Sequence, residues 1–150
     1  MSPTAHVIAS AATSVAFYGV TRSIPGTIMC FLSGIFIDID HLFDLWWHKK
    51  RLTFSYKELL YYCELSPDGK LMLAFHSYEL FVLLWALVIL GKWGLFWWGL
   101  MVGATVHIIL DQIYNPVRPS TYFFIYRWKN GFSKECFFPP GQLPGSQRTK

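Results

Sequence analysis

The chain has 150 residues, of which 53% are hydrophobic, 19% aromatic and only 15% charged, and its formal net charge is +4. A soluble domain of this size with seven Trp, eight Tyr and thirteen Phe would expose one continuous apolar surface, so the composition excludes an ordinary soluble protein and favours a membrane protein. The length leaves no room for a separate soluble domain, and Lys and Arg do not cluster on a solvated face as in a nucleic-acid-binding protein.

Four apolar segments, each near the ~20 residues that cross a bilayer, are predicted to be transmembrane helices. They cover residues 3–20, 24–47, 71–90 and 93–113. The predicted architecture is an all-α, four-helix transmembrane domain over residues 1–116 and a partly disordered interfacial tail over residues 117–150. The small-residue helix faces suit packing within one bundle or between two, which leaves the oligomeric state open.

The distribution of Lys and Arg predicts the orientation of these helices. The loop at residues 49–70 and the tail carry most of the basic residues, whereas the two short connections carry only Arg22 and Lys92. Because positive charge is retained on the cytoplasmic side, both termini and the middle loop are expected to be cytoplasmic.

Eight ionisable side chains are predicted to meet at the cytoplasmic end of this bundle. One lies at the start of the first helix, three near the end of the second, two at the start of the third and two at the end of the fourth. They are His6, Asp38, Asp40, His41, His76, Glu79, His107 and Asp111.

Small residues lie at four-residue intervals from several of these groups. Gly99 and Gly103 lead to His107 and Asp111 in four-residue steps, so all four share one face of the fourth helix and the glycines allow a close neighbour. The same spacing occurs on the first two helices, in His6, Ser10 and Ser14 and in Cys30, Gly34 and Asp38.

Energetics indicate a metal at this end of the bundle. One charge deep in a bilayer costs roughly 2.5–3.5 kcal/mol, and neither Lys nor Arg lies on the inward stripes to neutralise the carboxylates. A divalent cation can neutralise them, since His nitrogen and carboxylate oxygen are ligands of zinc, manganese and iron. Eight candidates suffice for one to two ions.

Three motifs resemble those of a known family. The stretch "GIFIDIDHL" resembles the G-x-x-x-P-D-x-D-H signature of the bacterial inner-membrane metal-dependent hydrolases, although Ile37 replaces the Pro. The stretch "GATVHIILDQIYNP" resembles their G-x-x-S-H-x-x-x-D segment, "FHSYE" resembles their internal His-Ser motif, and His6 matches their N-terminal His. The order of these residues is also similar to that in the zinc-dependent phospholipase C and P1-type nuclease superfamily, whose members are all-helical phosphoesterases.

The resemblance implies a zinc site, with manganese or iron as alternatives, in the bacterial inner membrane. The residues at its motif positions, implied to be metal ligands, are His6, Asp38, His41, His76, Glu79, His107 and Asp111. Asp40, like His41, is implied to be a ligand or to lie beside one.

The leading functional hypothesis is a membrane-embedded metal-dependent phosphoesterase of phospholipase C or lipid phosphatase type. Its substrate would be a phospholipid or polyprenyl phosphate whose headgroup lies at the cytoplasmic face. A metal ion would lower the pKa of a water molecule and neutralise the phosphoryl oxygens. Asp40 or Glu79, if not a ligand, is the candidate catalytic base.

A transporter or channel for metal ions or protons is the first alternative, because intramembrane Asp and His chains also form ion pathways. Residues 81–90 and 93–101 contain no ionisable group, however, which favours a one-sided site. A non-catalytic adaptor with a structural metal is the second alternative. Structural sites usually hold four ligands, fewer than the eight candidates here.

Overall fold

The computed structural model describes residues 3–50, 70–115 and 117–138. Over these residues the fold is all-α without a strand, as predicted, with one isolated β-bridge between Lys70 and Ser133. The predicted loop over residues 51–69 and the predicted disorder over residues 139–150 lie outside the described part of the chain.

The described residues form six α-helices and two short 3-10 turns. The helices are α1 (Pro3–Thr21), α2 (Ile24–Phe36), α3 (Ile39–Lys49), α4 (Tyr78–Leu90), α5 (Leu95–Tyr114) and α6 (Phe124–Lys129), and the turns are Pro119–Tyr122 and Lys134–Cys136. The chain divides into two compact units. Unit 1 comprises Met1–Ile37 and Tyr78–Asn115, and unit 2 comprises Asp38–Ser77 and Pro116–Lys150.

Unit 1 consists of α1, α2, α4 and α5, with α2 packed along α5 through small residues. A Cβ placed on Gly99 would lie 1.9 Å from the carbonyl oxygen of Gly26, and one placed on Gly103 would lie 2.0 Å from that of Cys30. Any larger residue at either position would force the two backbones apart. The predicted role of these glycines in close helix packing is therefore confirmed.

One described helix, Leu95–Tyr114, is long and apolar enough to cross a membrane. Helix Tyr78–Leu90 is also apolar, but it has only 13 residues. The four-span arrangement predicted from the sequence therefore stays a prediction, whereas the all-α class is established.

The second predicted span, residues 24–47, is two helices and not one. Helix α2 ends at Phe36 and α3 begins at Ile39, with Asp38 as the N-cap residue of α3 and Asp40 in its first turn. The free N–H groups and the dipole at a helix N-terminus favour negative charge, which explains why a new helix begins at this acidic pair.

The third predicted span, residues 71–90, is also shorter than expected. Helix α4 begins only at Tyr78, and the preceding residues 70–77 form a non-helical segment, here called the strap. Side chains replace helical hydrogen bonds along the strap, because Asp44 accepts its N–H groups and Arg127 donates to its carbonyl oxygens.

Unit 2 has its own small hydrophobic core. Val117, Tyr126 and Phe138 pack around a buried cluster from α3, the strap and the C-terminal turn, which consists of Leu45, Leu71, Leu73, Cys136 and Phe137. The Lys70–Ser133 bridge also joins the strap to the chain after α6. The strap is therefore held by packing as well as by hydrogen bonds.

Candidate metal centre

In unit 1, two histidines and one aspartate from α1 and α5 come together. The Nε2 atom of His6 lies 3.0 Å from Oδ1 of Asp111, and Nε2 of His107 lies 3.2 Å from Oδ2 of the same carboxylate. The two imidazole rings stack with their centroids 4.0 Å apart. All three side chains are buried, so this His2Asp cluster, here called the α1–α5 cluster, is closed to solvent.

The His107 ring is fixed by a backbone contact to α2. Its Nδ1 atom lies 2.8 Å from the carbonyl oxygen of Gly34. A carbonyl oxygen can only accept a hydrogen bond, so Nδ1 of His107 is protonated and donates, while Nε2 faces Asp111. Gly34 leaves no room for a side chain, because a Cβ there would lie 2.4 Å from Oγ of Ser10.

In unit 2, a second His2Asp set lies between the start of α3 and the strap. Oδ1 of Asp38 lies 3.4 Å from Nε2 of His76 and 3.7 Å from Nε2 of His41. Asp38 is 42% exposed and His41 is 23% exposed, whereas His76 is buried. This set, here called the strap cluster, is therefore open on one side.

Asp40 lies behind His76 and fixes its ring. Its Oδ2 accepts hydrogen bonds from the backbone N–H of Phe75 at 3.0 Å and from Nδ1 of His76 at 2.9 Å. Because the carboxylate is the acceptor, Nδ1 of His76 is protonated and donates, and Nε2 faces Asp38. A carboxylate that orients a ligating imidazole in this way is a common partner of metal-binding histidines.

The other carboxylate oxygen of Asp40 is a further candidate ligand atom. Within the described residues, Oδ1 of Asp40 is buried and has no hydrogen-bond partner. Asp40, His41 and His76 form a group that could hold a metal ion, since each offers a ligand atom within 4.8 Å of the others. The expectation that His and Asp side chains gather into a possible metal site is therefore met, although neither the metal nor the number of ions is determined.

The same electrostatic arrangement occurs in both clusters. An imidazole Nε2 and a carboxylate oxygen face each other at 3.2 Å in one cluster and 3.4 Å in the other. Two lone pairs at that distance repel unless a proton or a cation lies between them. In a tetrahedral zinc site with bonds of about 2.0–2.1 Å, neighbouring ligand atoms lie about 3.3 Å apart, which matches both separations.

The structure changes two sequence-based expectations. His76 belongs to the strap, whereas the sequence analysis placed it with Glu79 at the start of the third helix. Glu79 lies half-buried in the first turn of α4, and neither candidate metal group found among the described residues includes it. Its predicted roles as ligand and catalytic base gain no support from this geometry.

Two residues that the sequence analysis left out of the site support the strap cluster. Asp44 is 4% exposed and accepts hydrogen bonds from two strap N–H groups, and Arg127 is fully buried with its guanidinium on strap carbonyl oxygens. A single Arg within the aromatic stretch "FFIYRW" was the available indication. An Arg in such a stretch is usually interpreted as an anchor at the membrane interface. Arg127 is instead buried and donates hydrogen bonds to backbone carbonyl oxygens.

Comparison of the chain with protein-family models, with curated proteins and with solved structures finds no significant match.

Proposed function

We propose that this protein is a membrane-embedded, metal-dependent hydrolase that cleaves a phosphate ester at a lipid headgroup. The observation that carries the proposal is the strap cluster. There Nδ1 of His76 donates to Asp40 and Nε2 faces Asp38, on a side that is open to solvent. Three protein ligands with one accessible side are typical of catalytic zinc sites, whereas structural sites are closed.

The apolar exterior of unit 1 supports a membrane location. Large side chains face outward on three of its helices, with Ile8 65%, Val82 71% and Ile113 66% exposed. Exposure of so much apolar surface to water is unfavourable, whereas its exposure to lipid chains is not. Helix α5, which carries His107 and Asp111, is the helix with membrane-spanning length and composition.

The end of α3 supports a substrate at headgroup depth. Lys50 places its Nζ atom 4.7 Å from the centre of the Trp47 ring, and both residues are exposed. Trp with a neighbouring Lys is a common anchor at the membrane–water interface, where the cation also attracts anionic headgroups. The proposed substrates are accordingly a phospholipid or a polyprenyl phosphate.

The residues of the strap cluster have different roles in the proposed hydrolysis. Asp38, His41 and His76 would hold a divalent ion, with zinc first and manganese or iron as alternatives. When bound, such an ion supplies Lewis acidity toward water and toward a phosphoryl oxygen. Asp40 orients His76 through Oδ2, and its buried Oδ1 would accept a proton from a water molecule admitted on the open Asp38 side.

In this proposal the α1–α5 cluster holds a second ion with a structural role. Its three side chains are 0–6% exposed, so neither water nor a headgroup reaches them. His107→Ala is therefore expected to reduce the amount of folded protein. His76→Gln is expected to leave the protein folded but inactive.

The test is hydrolysis of lipids by the detergent-purified full chain. Mixed micelles of phospholipids and of polyprenyl phosphates are incubated with protein loaded with Zn²⁺ or Mn²⁺, and phosphorylated headgroup and inorganic phosphate are assayed separately. Release of either product by the wild type, abolished by EDTA and by His76→Gln, supports the proposal. Folded, metal-loaded protein that releases neither product from any lipid contradicts it.

A further inference from the structure

The strap is held by charged side chains along both of its edges. On one edge, Oδ2 of Asp44 accepts the N–H groups of Met72 at 2.8 Å and Leu73 at 3.0 Å. On the other, Nη1 of Arg127 donates to the carbonyl oxygens of the same two residues, at 2.6 and 2.8 Å. Each of these hydrogen bonds involves an ionised group and is therefore stronger than one between neutral partners.

A single peptide group links the two charges. The carbonyl of Met72 and the N–H of Leu73 belong to one peptide unit, which accepts from Arg127 at one end and donates to Asp44 at the other. The guanidinium and the carboxylate thus both act on the dipole of this peptide, and each strengthens the hydrogen bond of the other. The buried charges are paired through the backbone.

This arrangement holds an unfavourable backbone conformation. Leu73 has φ = 42°, in the left-handed region that side chains other than Gly, Asn and Asp rarely adopt. Both its N–H and its carbonyl oxygen are engaged by the two charged residues. Such a conformation persists only where the surroundings fix it.

The same guanidinium reaches the proposed ligand. Nη2 of Arg127 donates to the carbonyl oxygen of His76 at 3.1 Å. The backbone N–H of the preceding Phe75 donates to Asp40, which also accepts from the His76 ring. The position of this ring relative to Asp40 is therefore set by the path of the strap.

We propose that Arg127 and Asp44 are positioning residues, which hold the strap so that the Nδ1–H group of His76 stays hydrogen-bonded to Asp40 and Nε2 stays directed toward Asp38. The inference rests on the proposed function in one respect only, that Nε2 of His76 is a metal ligand. The hydrogen bond between His76 and Asp40 is present in the metal-free chain and can be measured independently.

The test is a long-range ¹H–¹⁵N spectrum of the EDTA-treated full chain in detergent micelles, with ¹⁵N-labelled histidine. His76 signals are assigned by their loss in His76→Gln. The wild type is expected to show a protonated Nδ1 at His76 whose N–H signal is protected from exchange with water, whereas this signal weakens or disappears in Arg127→Lys and Asp44→Asn. Lys keeps the charge but not the fork that contacts three carbonyl oxygens.

Arg118→Lys is the matched control. Arg118 belongs to the same unit, is half-buried and hydrogen-bonds through its backbone N–H to Phe137. This variant should retain the protected Nδ1–H signal of His76. The signals of His107, which is fixed by Gly34 in unit 1, should stay unchanged throughout and show that unit 1 of each variant is folded.

Zn²⁺ affinity gives a second readout. Arg127→Lys should weaken the binding of one of the bound Zn²⁺ ions about 10- to 100-fold, as loss of supporting contacts does at other metal sites. Should Arg127→Lys fail to fold, Asp44→Asn decides the matter alone. A fully protected Nδ1–H signal of His76 in the folded variants overturns the inference, whereas absence of metal binding by the wild type overturns only the proposed function.

Discussion

The Nδ1 atom of His107 donates a hydrogen bond to the carbonyl oxygen of Gly34 at 2.8 Å, which joins the histidine of α5 to the backbone of α2. This contact requires close approach of the two helices, and small residues allow it. The geometry of the α1–α5 cluster therefore depends on glycines that lie one or two turns from any ligand.

Gly103→Ala is expected to destabilise unit 1 by about 1–3 kcal/mol or more, because overpacking a fitted interface has costs of that size. The new Cβ would lie 2.0 Å from the carbonyl oxygen of Cys30. Gly19→Ala is the control, since nothing lies within 4 Å of its Cβ position on α1. Gly19→Ala should have no effect or stabilise by up to about 1 kcal/mol. Thermal denaturation monitored by circular dichroism measures both, and equal stabilities for the two variants would contradict the proposed interface.

Glu79→Gln is expected to leave the bound metal unchanged. The sequence-based hypothesis made Glu79 a ligand, but neither candidate metal group among the described residues includes it. Plasma emission analysis of the purified variant checks this expectation. Loss of an ion would return Glu79 to the ligand set and would mean that the described clusters are incomplete.

The Cys136 thiol should be unreactive at neutral pH. Burial raises its pKa, although the nearby Arg127 and Arg118 charges oppose the shift, and the thiolate is the reactive form. In a Cys30→Ser, Cys63→Ser background, we expect slow alkylation by iodoacetamide that accelerates in Arg127→Lys. Alkylation as fast as in urea-unfolded protein would show that the core of unit 2 is not closed.

The same pKa shift predicts the direction of one pH effect. A thiol whose pKa is higher in the folded state than in the unfolded state stabilises folding below the unfolded pKa, and this contribution is lost as pH rises through the folded pKa. Cys136→Ser should therefore flatten the decline of stability above about pH 8.5. Urea denaturation of both proteins at pH 7 and pH 10 tests this, and a decline unchanged by the substitution would contradict it.

Removal of metal should lower the melting temperature, because a ligand that binds only the folded state stabilises it by RT ln(1 + [L]/Kd), or about 2.7 kcal/mol at 100 Kd. EDTA treatment should lower the Tm, and added Zn²⁺ should restore it. In His6→Ala the effect should be smaller, since Nε2 of His6 lies 3.0 Å from Asp111 in the α1–α5 cluster. A Tm unaffected by EDTA in metal-loaded wild type would contradict metal binding linked to folding.

Local patterns were sufficient to predict part of the site. Four-residue spacing places side chains on one face of any regular helix. On α5 this face carries Gly99, Gly103, His107 and Asp111, and all four are buried. The break after α2 was not foreseen, because residues 24–47 are apolar on both sides of it. Hydropathy measures how favourably each residue transfers into a bilayer. It does not detect the partial positive charge at a helix N-terminus, which favours the acidic residues at the start of α3.

The role of Arg127 could not be predicted from local patterns. Its partners lie 51–55 residues earlier in the chain, in a strap that hydropathy assigns to a helix. No periodicity links the two segments. Only the folded backbone shows that unit 2 uses an arginine and an aspartate in place of helical hydrogen bonds, and that this placement sets the orientation of His76.

Metal analysis tests the central claim most directly. Wild-type protein is purified in detergent, reconstituted with Zn²⁺, desalted and analysed beside Asp38→Ala, His107→Ala and the control His48→Ala, which alters a histidine that is not among the eight sequence-predicted site residues. We expect tightly bound metal in the wild type and the control, and loss from each of the other variants of the ion that its cluster holds. Wild-type protein that retains no metal after reconstitution, or equal metal in all four proteins, would contradict the account.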